Sequence, residues 1–175
     1  RLLARQNRSL SDLLAPSRPA TAWGLLAFII LFVGFFVSTF IGNLIAYQGP
    51  PPASGVSHGV PMWMGWWTLI IMPVTIALAE EGLYRGYAAE VLESRFHKAA
   101  ALVVIAFFFA LQHTALTSLS PRAQVARFVT TFLGGLLFGG MRWRWRGGLW
   151  SLVVAHWGLD VLGLGLPILL ASQAS

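Results

Sequence analysis

The chain has 175 residues, of which 57% are hydrophobic and only 10% are charged, and its mean hydropathy is +0.70. Soluble domains carry about 25% charged residues. This composition excludes a soluble globule, a disordered chain and a nucleic-acid-binding module, and it indicates an integral membrane protein. In a membrane protein, a net charge of +6 usually sets the topology or contacts anionic lipid headgroups. The absence of cysteine excludes disulfides, thiolate metal sites and a cysteine nucleophile.

A basic leader precedes five apolar stretches. Residues 1–20 contain four arginines and are predicted to form a cytoplasmic or interfacial leader. Residues 21–175 are predicted to form a single transmembrane domain of the all-α, polytopic class. Because a straight helix needs about 20 apolar residues to cross the hydrocarbon core, we expect about five membrane-spanning helices, at residues 21–47, 63–79, 99–116, 125–141 and 150–170.

Basic residues cluster in alternate loops. They occur in the leader, around residues 95–98 and at residues 142–146, whereas the loop at residues 48–62 has none. Arg122 and Arg127 weaken this pattern without reversing it. The positive-inside rule therefore predicts a cytoplasmic N-terminus and an external C-terminus.

Several ionisable side chains lie within these apolar stretches, where they are costly and usually functional. Two carboxylates able to act as a base and two imidazoles able to hold water or metal are among them. The pairs Glu81–Arg85 and His156–Asp160 are each four residues apart, so each pair shares one helix face. The full set is Glu80, Glu81, Arg85, His113, His156 and Asp160.

The spacing of these residues predicts that three helices meet at one level. The second and third apolar stretches form a predicted hairpin that turns near His97, with Glu80 before it and His113 after it at nearly equal separations. At about 1.5 Å per residue, both lie about 24–26 Å from the turn. His156 lies only about 14 Å beyond Gly147. All three meet if the hairpin protrudes about 10 Å further, through the amphipathic residues 86–98.

The order and spacing of these residues resemble the CPBP intramembrane proteases, also called the CAAX-protease and bacteriocin-processing or Abi family. The resemblance covers residues 72–163, including the segment that leads from Gly135 to the third motif. One departure is an aspartate at the last motif position, where the family often has asparagine. The motifs are EExxxR at Glu80, Glu81 and Arg85, FxxxH at Phe109 and His113, and HxxxN or a variant at His156 and Asp160.

The resemblance implies an intramembrane endopeptidase that hydrolyses a peptide bond through a glutamate-activated water. Glu80 is then the general base, His113 holds the water, and His156 with Asp160 stabilises the oxyanion. Supporting roles fall to Glu81, Arg85, Tyr84 and Phe109. No cofactor is certain. A divalent metal such as zinc stays open, with Glu80, His113, His156 and Asp160 as candidate ligands.

The implied substrate is a hydrophobic or prenylated membrane peptide, and the implied location is the bacterial inner membrane. Membrane lipids are expected partners, and nucleic acid is not. A competing interpretation is a catalytically silent scaffold or assembly subunit of a larger membrane complex. Its partner would pack on the small-residue face between Gly134 and Gly140. A transporter is a weaker alternative, since no inverted repeat is found.

Overall fold

The protein is described by a computed structural model that covers residues 14–52, 59–115, 117, 119–144 and 148–173. Most of the predicted leader, residues 1–13, lies outside the described residues. Those described form helices without strands, which confirms the all-α class. The elements are α1 Arg18–Tyr47, α2 Met62–Glu80, π1 Glu81–Ala88, α3 Ala89–Glu93, α4 Lys98–Ala115, α5 Pro121–Arg144, α6 Gly148–Asp160, π2 Val161–Gly165 and α7 Leu166–Gln173.

Four helical segments in the described residues are long and apolar enough to cross a membrane. They are α1, the continuous α2–π1–α3, α4, and the continuous α6–π2–α7. The fourth predicted span forms the 24-residue helix α5, which is long enough but less apolar because it contains arginines and glycines. The protein is thus polytopic, and four of the five expected spans are supported by both length and composition.

Helix α1 packs along both α5 and α6. Small residues permit this close approach. A Cβ on Gly24 would lie 2.6 Å from Val154 Cβ, and one on Gly42 would lie 2.6 Å from the backbone oxygen of Ala126. The indole of Trp150 also donates to the Thr21 hydroxyl at 3.0 Å.

Helices α2 and α4 belong to different sides of the bundle. Helix α2 packs against α6, π2 and α7, whereas α4 packs against α5. Helix α1 joins the two sides because it packs on both α5 and α6, and π1 and α3 also contact α4 directly. The Glu93 carboxylate of α3 accepts from Arg142 and Trp143, each at 2.8 Å. The described residues of α2 and α4 share no extensive mutual interface.

The glycine-rich face of α5 is partly used inside the protein. A Cβ on Gly135 would lie 3.1 Å from Ala106 Cα in α4, and one on Gly139 would lie 2.2 Å from the Leu102 side chain. Gly134 and Gly140 have open space at their Cβ positions among the described residues. Half of the glycines that the sequence offers for a partner therefore pack against α4 instead.

Candidate functional site

The EExxxR motif lies where α2 widens into a π-helical segment. Glu80 is the last residue of α2, and π1 begins at Glu81. Helix α6 also continues into a π-helical segment, because π2 begins directly after Asp160. π-Helical turns are rare and are frequent at functional sites. Both widened segments thus begin at the acidic residues of the motifs.

Glu81 and Arg85 form a sealed ion pair behind the site. Their side chains are 0% and 1% exposed, and Arg85 Nη1 donates to Glu81 Oε1 at 3.1 Å. The guanidinium carbon lies 4.4 Å from the ring centre of Phe109 and 4.7 Å from that of Phe138. Cation–π contacts of this kind are strongest in desolvated sites. The pair is therefore held by both charge and aromatic packing.

The same carboxylate oxygen orients His156. Nδ1 of His156 lies 2.8 Å from Glu81 Oε1, and because a carboxylate accepts, Nδ1 carries the hydrogen. Nε2 of the ring then faces Glu80 Oε2 at 3.7 Å and Asp160 Oδ2 at 3.8 Å. Arg85, Glu81 and His156 thus form a chain that aims one ring nitrogen at the site.

Glu80 and His113 face each other across the hairpin, at the common level that the residue spacing predicts. Glu80 Oε2 lies 4.0 Å from His113 Nε2. Nδ1 of His113 lies 2.8 Å from the Phe109 carbonyl oxygen, so it donates there and leaves Nε2 as an acceptor. Two acceptors 4.0 Å apart can each receive one hydrogen from a single water at about 2.8 Å.

The other Glu80 oxygen is bound by a residue that the sequence interpretation missed. The amide nitrogen of Gln112 donates to Glu80 Oε1 at 2.7 Å, and its oxygen accepts from the Tyr84 hydroxyl. Tyr84 also packs edge-on against Phe109, with ring centres 5.3 Å apart. The available signal was a polar amide within an apolar helix, since such residues are uncommon and often functional in membranes.

The side chains of the cluster differ in exposure, from the fully buried Glu81 and Arg85 to the partly exposed His113 and Asp160. The side chains of His113 and Asp160 are 23% and 20% exposed, and that of Glu80 is 11% exposed. Glu80 Oε2 and Asp160 Oδ2 are themselves buried and have no hydrogen-bond partner among the described residues. All six ionisable residues singled out in the sequence thus lie in one connected cluster, in which His113 and Asp160 are the most exposed.

Carboxylate oxygens and imidazole nitrogens suit zinc, and these residues provide both. Glu80 Oε2 lies 4.0 Å from His113 Nε2 and 3.7 Å from His156 Nε2, and His156 Nε2 lies 3.8 Å from Asp160 Oδ2. The donor types therefore fit zinc, and these four side chains are the ones that would hold it.

A comparison with protein families matches the region that contains the three motifs. The family model described as type II CAAX prenyl endopeptidase Rce1-like matches residues 61–162, more than half of the chain. Searches of curated proteins and of solved structures returned no significant match. The matched region includes every residue of the cluster and confirms the resemblance seen in the three motifs. The chain is therefore a member of the type II CAAX prenyl endopeptidase Rce1-like family of membrane proteases.

Proposed function

We propose that this protein hydrolyses a peptide bond in a hydrophobic or prenylated membrane peptide through a water activated by Glu80. The observation that carries the proposal is the opposed pair of acceptors, Glu80 Oε2 and His113 Nε2, 4.0 Å apart. Each partner is fixed from behind, Glu80 by Gln112 and His113 by the Phe109 carbonyl. A water between them would be oriented by both of its hydrogens.

The reaction follows from these positions. Glu80 takes a proton from the water as the water oxygen bonds to the scissile carbonyl carbon, and the carbonyl oxygen becomes an oxyanion. When the carbon–nitrogen bond breaks, the proton on Glu80 passes to the departing nitrogen. General acid–base catalysis of this kind contributes about 10²- to 10⁴-fold.

His156 would stabilise the oxyanion, and Asp160 would support the positive charge of the His156 ring. Because Nδ1 of His156 already donates to Glu81, donation from Nε2 requires the doubly protonated ring. The carboxylates of Glu80, Glu81 and Asp160 lie close enough to balance its charge. An oriented donor at a developing oxyanion is among the larger contributions to catalysis.

The limited contact between α2 and α4 supports a membrane-embedded substrate. Both helices expose large apolar side chains such as Ile71, Val74, Phe108 and Leu111. A prenyl group or an apolar peptide could approach the site between these helices from lipid without crossing water. We place the protein in a bacterial inner membrane with its N-terminus in the cytoplasm, on the family resemblance and the charge asymmetry of the loops.

The proposed mechanism routes no step through a metal, although the donor types suit zinc. A chelator therefore belongs in the test. We expect cleavage to persist in chelator. Loss of cleavage in chelator and its recovery on adding zinc would overturn the metal-free mechanism.

The test is cleavage of a peptide, with and without a prenyl group, by the purified protein in lipid vesicles. We expect Glu80→Gln to lower cleavage about 10²-fold or more. Glu93→Gln is the matched control, because Glu93 ends the same continuous helix outside the cluster and should leave cleavage near wild type. If the wild type cleaves neither peptide, the scaffold alternative gains and the proposal fails.

A further inference from the structure

Within the described ranges, Gln112 is the uncharged side chain that binds the proposed base directly. It precedes His113 in α4, and its amide nitrogen lies 2.7 Å from Glu80 Oε1. Its carbonyl oxygen accepts from the Tyr84 hydroxyl. The donor and acceptor in these two hydrogen bonds follow from the Glu80 carboxylate, because an ionised carboxylate can only accept. The amide nitrogen must face Glu80, and the Tyr84 hydroxyl must donate.

This contact decides which Glu80 oxygen is available. Oε1 is occupied by Gln112, whereas Oε2 has no hydrogen-bond partner among the described residues. Oε2 is also the oxygen that faces His113 and His156. Because successive residues of a helix point about 100° apart, Gln112 and His113 approach Glu80 from two directions. Gln112 fixes the carboxylate, and His113 faces its free oxygen.

Tyr84 fixes the amide in turn. It lies one turn after Glu80 along the same helical segment, so the three side chains close a loop between that segment and α4. Its ring is only 9% exposed and packs edge-on against Phe109. The hydroxyl therefore has little freedom, and the Gln112 amide is held in the orientation that donates to Glu80.

We propose that Gln112 is a positioning residue for the general base, and that Tyr84 acts on the base through Gln112. This inference rests on the proposed function, since it assigns how Glu80 is oriented for water activation. A hydrogen bond to a charged group is worth enough to change a rate about 10- to 100-fold when it is lost. The loss should appear in kcat, because the amide contacts the base and not the substrate.

The variants are Gln112→Met, which keeps the length but loses the donor, and Tyr84→Phe, which loses only the hydroxyl. We expect Gln112→Met to lower kcat about 10- to 100-fold with KM unchanged. Tyr84→Phe should lower kcat less, and it should have no further effect in the Gln112→Met background. Gln124→Met is the matched control, because Gln124 is exposed on α5 and should leave kcat unchanged.

The outcomes distinguish failure of the positioning role from failure of the proposed function. If Glu80→Gln is inactive while Gln112→Met matches wild type, the positioning role is wrong and the proposed function stands. Additive effects of the Tyr84 and Gln112 variants, or a change confined to KM, would also overturn the role. If Glu80→Gln retains full cleavage, the proposed function fails, and the positioning role fails with it. Should Gln112→Met fold poorly by thermal unfolding, Tyr84→Phe alone still tests the role: an unchanged kcat contradicts it.

Discussion

The buried pair Glu81–Arg85 should be far more important for stability than Glu93–Arg142, a second glutamate–arginine pair among the described residues. The two pairs have similar distances, 3.1 and 2.8 Å. They differ in burial, because the first pair is 0% and 1% exposed and the second is 17% and 23% exposed. Comparing Glu81→Gln with Glu93→Gln therefore isolates burial as the variable.

Glutamine has nearly the shape of glutamate, so Glu81→Gln removes the charge without leaving a cavity. Arg85 would then be a buried cation without a counter-charge in contact, and breaking a buried pair costs about 3–5 kcal/mol. The exposed pair is worth about 0.2–1 kcal/mol, and the Trp143 hydrogen bond to Glu93 adds about 1 kcal/mol. For a chain of this size, about 1 kcal/mol shifts Tm by about 2–4 °C.

The assay is thermal unfolding of the purified variants in one detergent. We expect Tm to fall by about 6–20 °C for Glu81→Gln and by at most about 8 °C for Glu93→Gln. The double variant Glu81→Gln/Arg85→Met removes both charges and keeps apolar packing between the aromatic rings. It should be more stable than Glu81→Gln alone, because the stranded charge is gone. Equal shifts for the two single variants, or a less stable double variant, would refute the reasoning.

Two further predictions concern close packing and the altered motif position. Gly165→Ala should lower Tm, because its Cβ would lie 2.8 Å from backbone atoms of α2 and overpacking costs about 1–3 kcal/mol. Gly163→Ala, with open space at its Cβ, should leave Tm unchanged, and equal shifts would contradict this packing argument. Asp160→Asn should keep cleavage within about tenfold, because its amide oxygen can still accept from His156 and its amide nitrogen can donate to the oxyanion, whereas Asp160→Leu loses both polar atoms beside His156 and should lower cleavage about 10-fold or more. Equal rates for the two Asp160 variants would show that its polar atoms do not matter.

Much of the fold could be predicted from the sequence because the bilayer imposes length and polarity on its helices. The separations of Glu80 and His113 from the turn predicted that the two residues lie at one level, since helical rise is nearly constant. The protrusion of the hairpin stays a prediction, because Glu93 near its end contacts Arg142 and Trp143 at the end of α5.

The rest depended on three-dimensional contacts that no linear pattern encodes. The π-helical segments were not predicted, because hydrophobic spacing does not distinguish them from α-helix over one or two turns. The hydrogen bond from Gln112 to Glu80 joins residues 32 positions apart and depends on how α4 rotates about its axis. The bond from His156 to Glu81 joins two motifs that were interpreted separately.

The two adjacent glutamates illustrate how rotation along one helix separates chemical roles. Glu81 is fully sealed, and its Oε1 receives both Arg85 and His156. Glu80, one residue earlier, faces the opposite helix, and its buried Oε2 has no hydrogen-bond partner among the described residues. A base must carry a free lone pair beside the reacting water, which is the role proposed above for Glu80 next to the more exposed His113. Glu81 is suited instead to hold His156 in place, because its charge is already balanced by Arg85. The order of the two carboxylates in the motif is therefore not interchangeable.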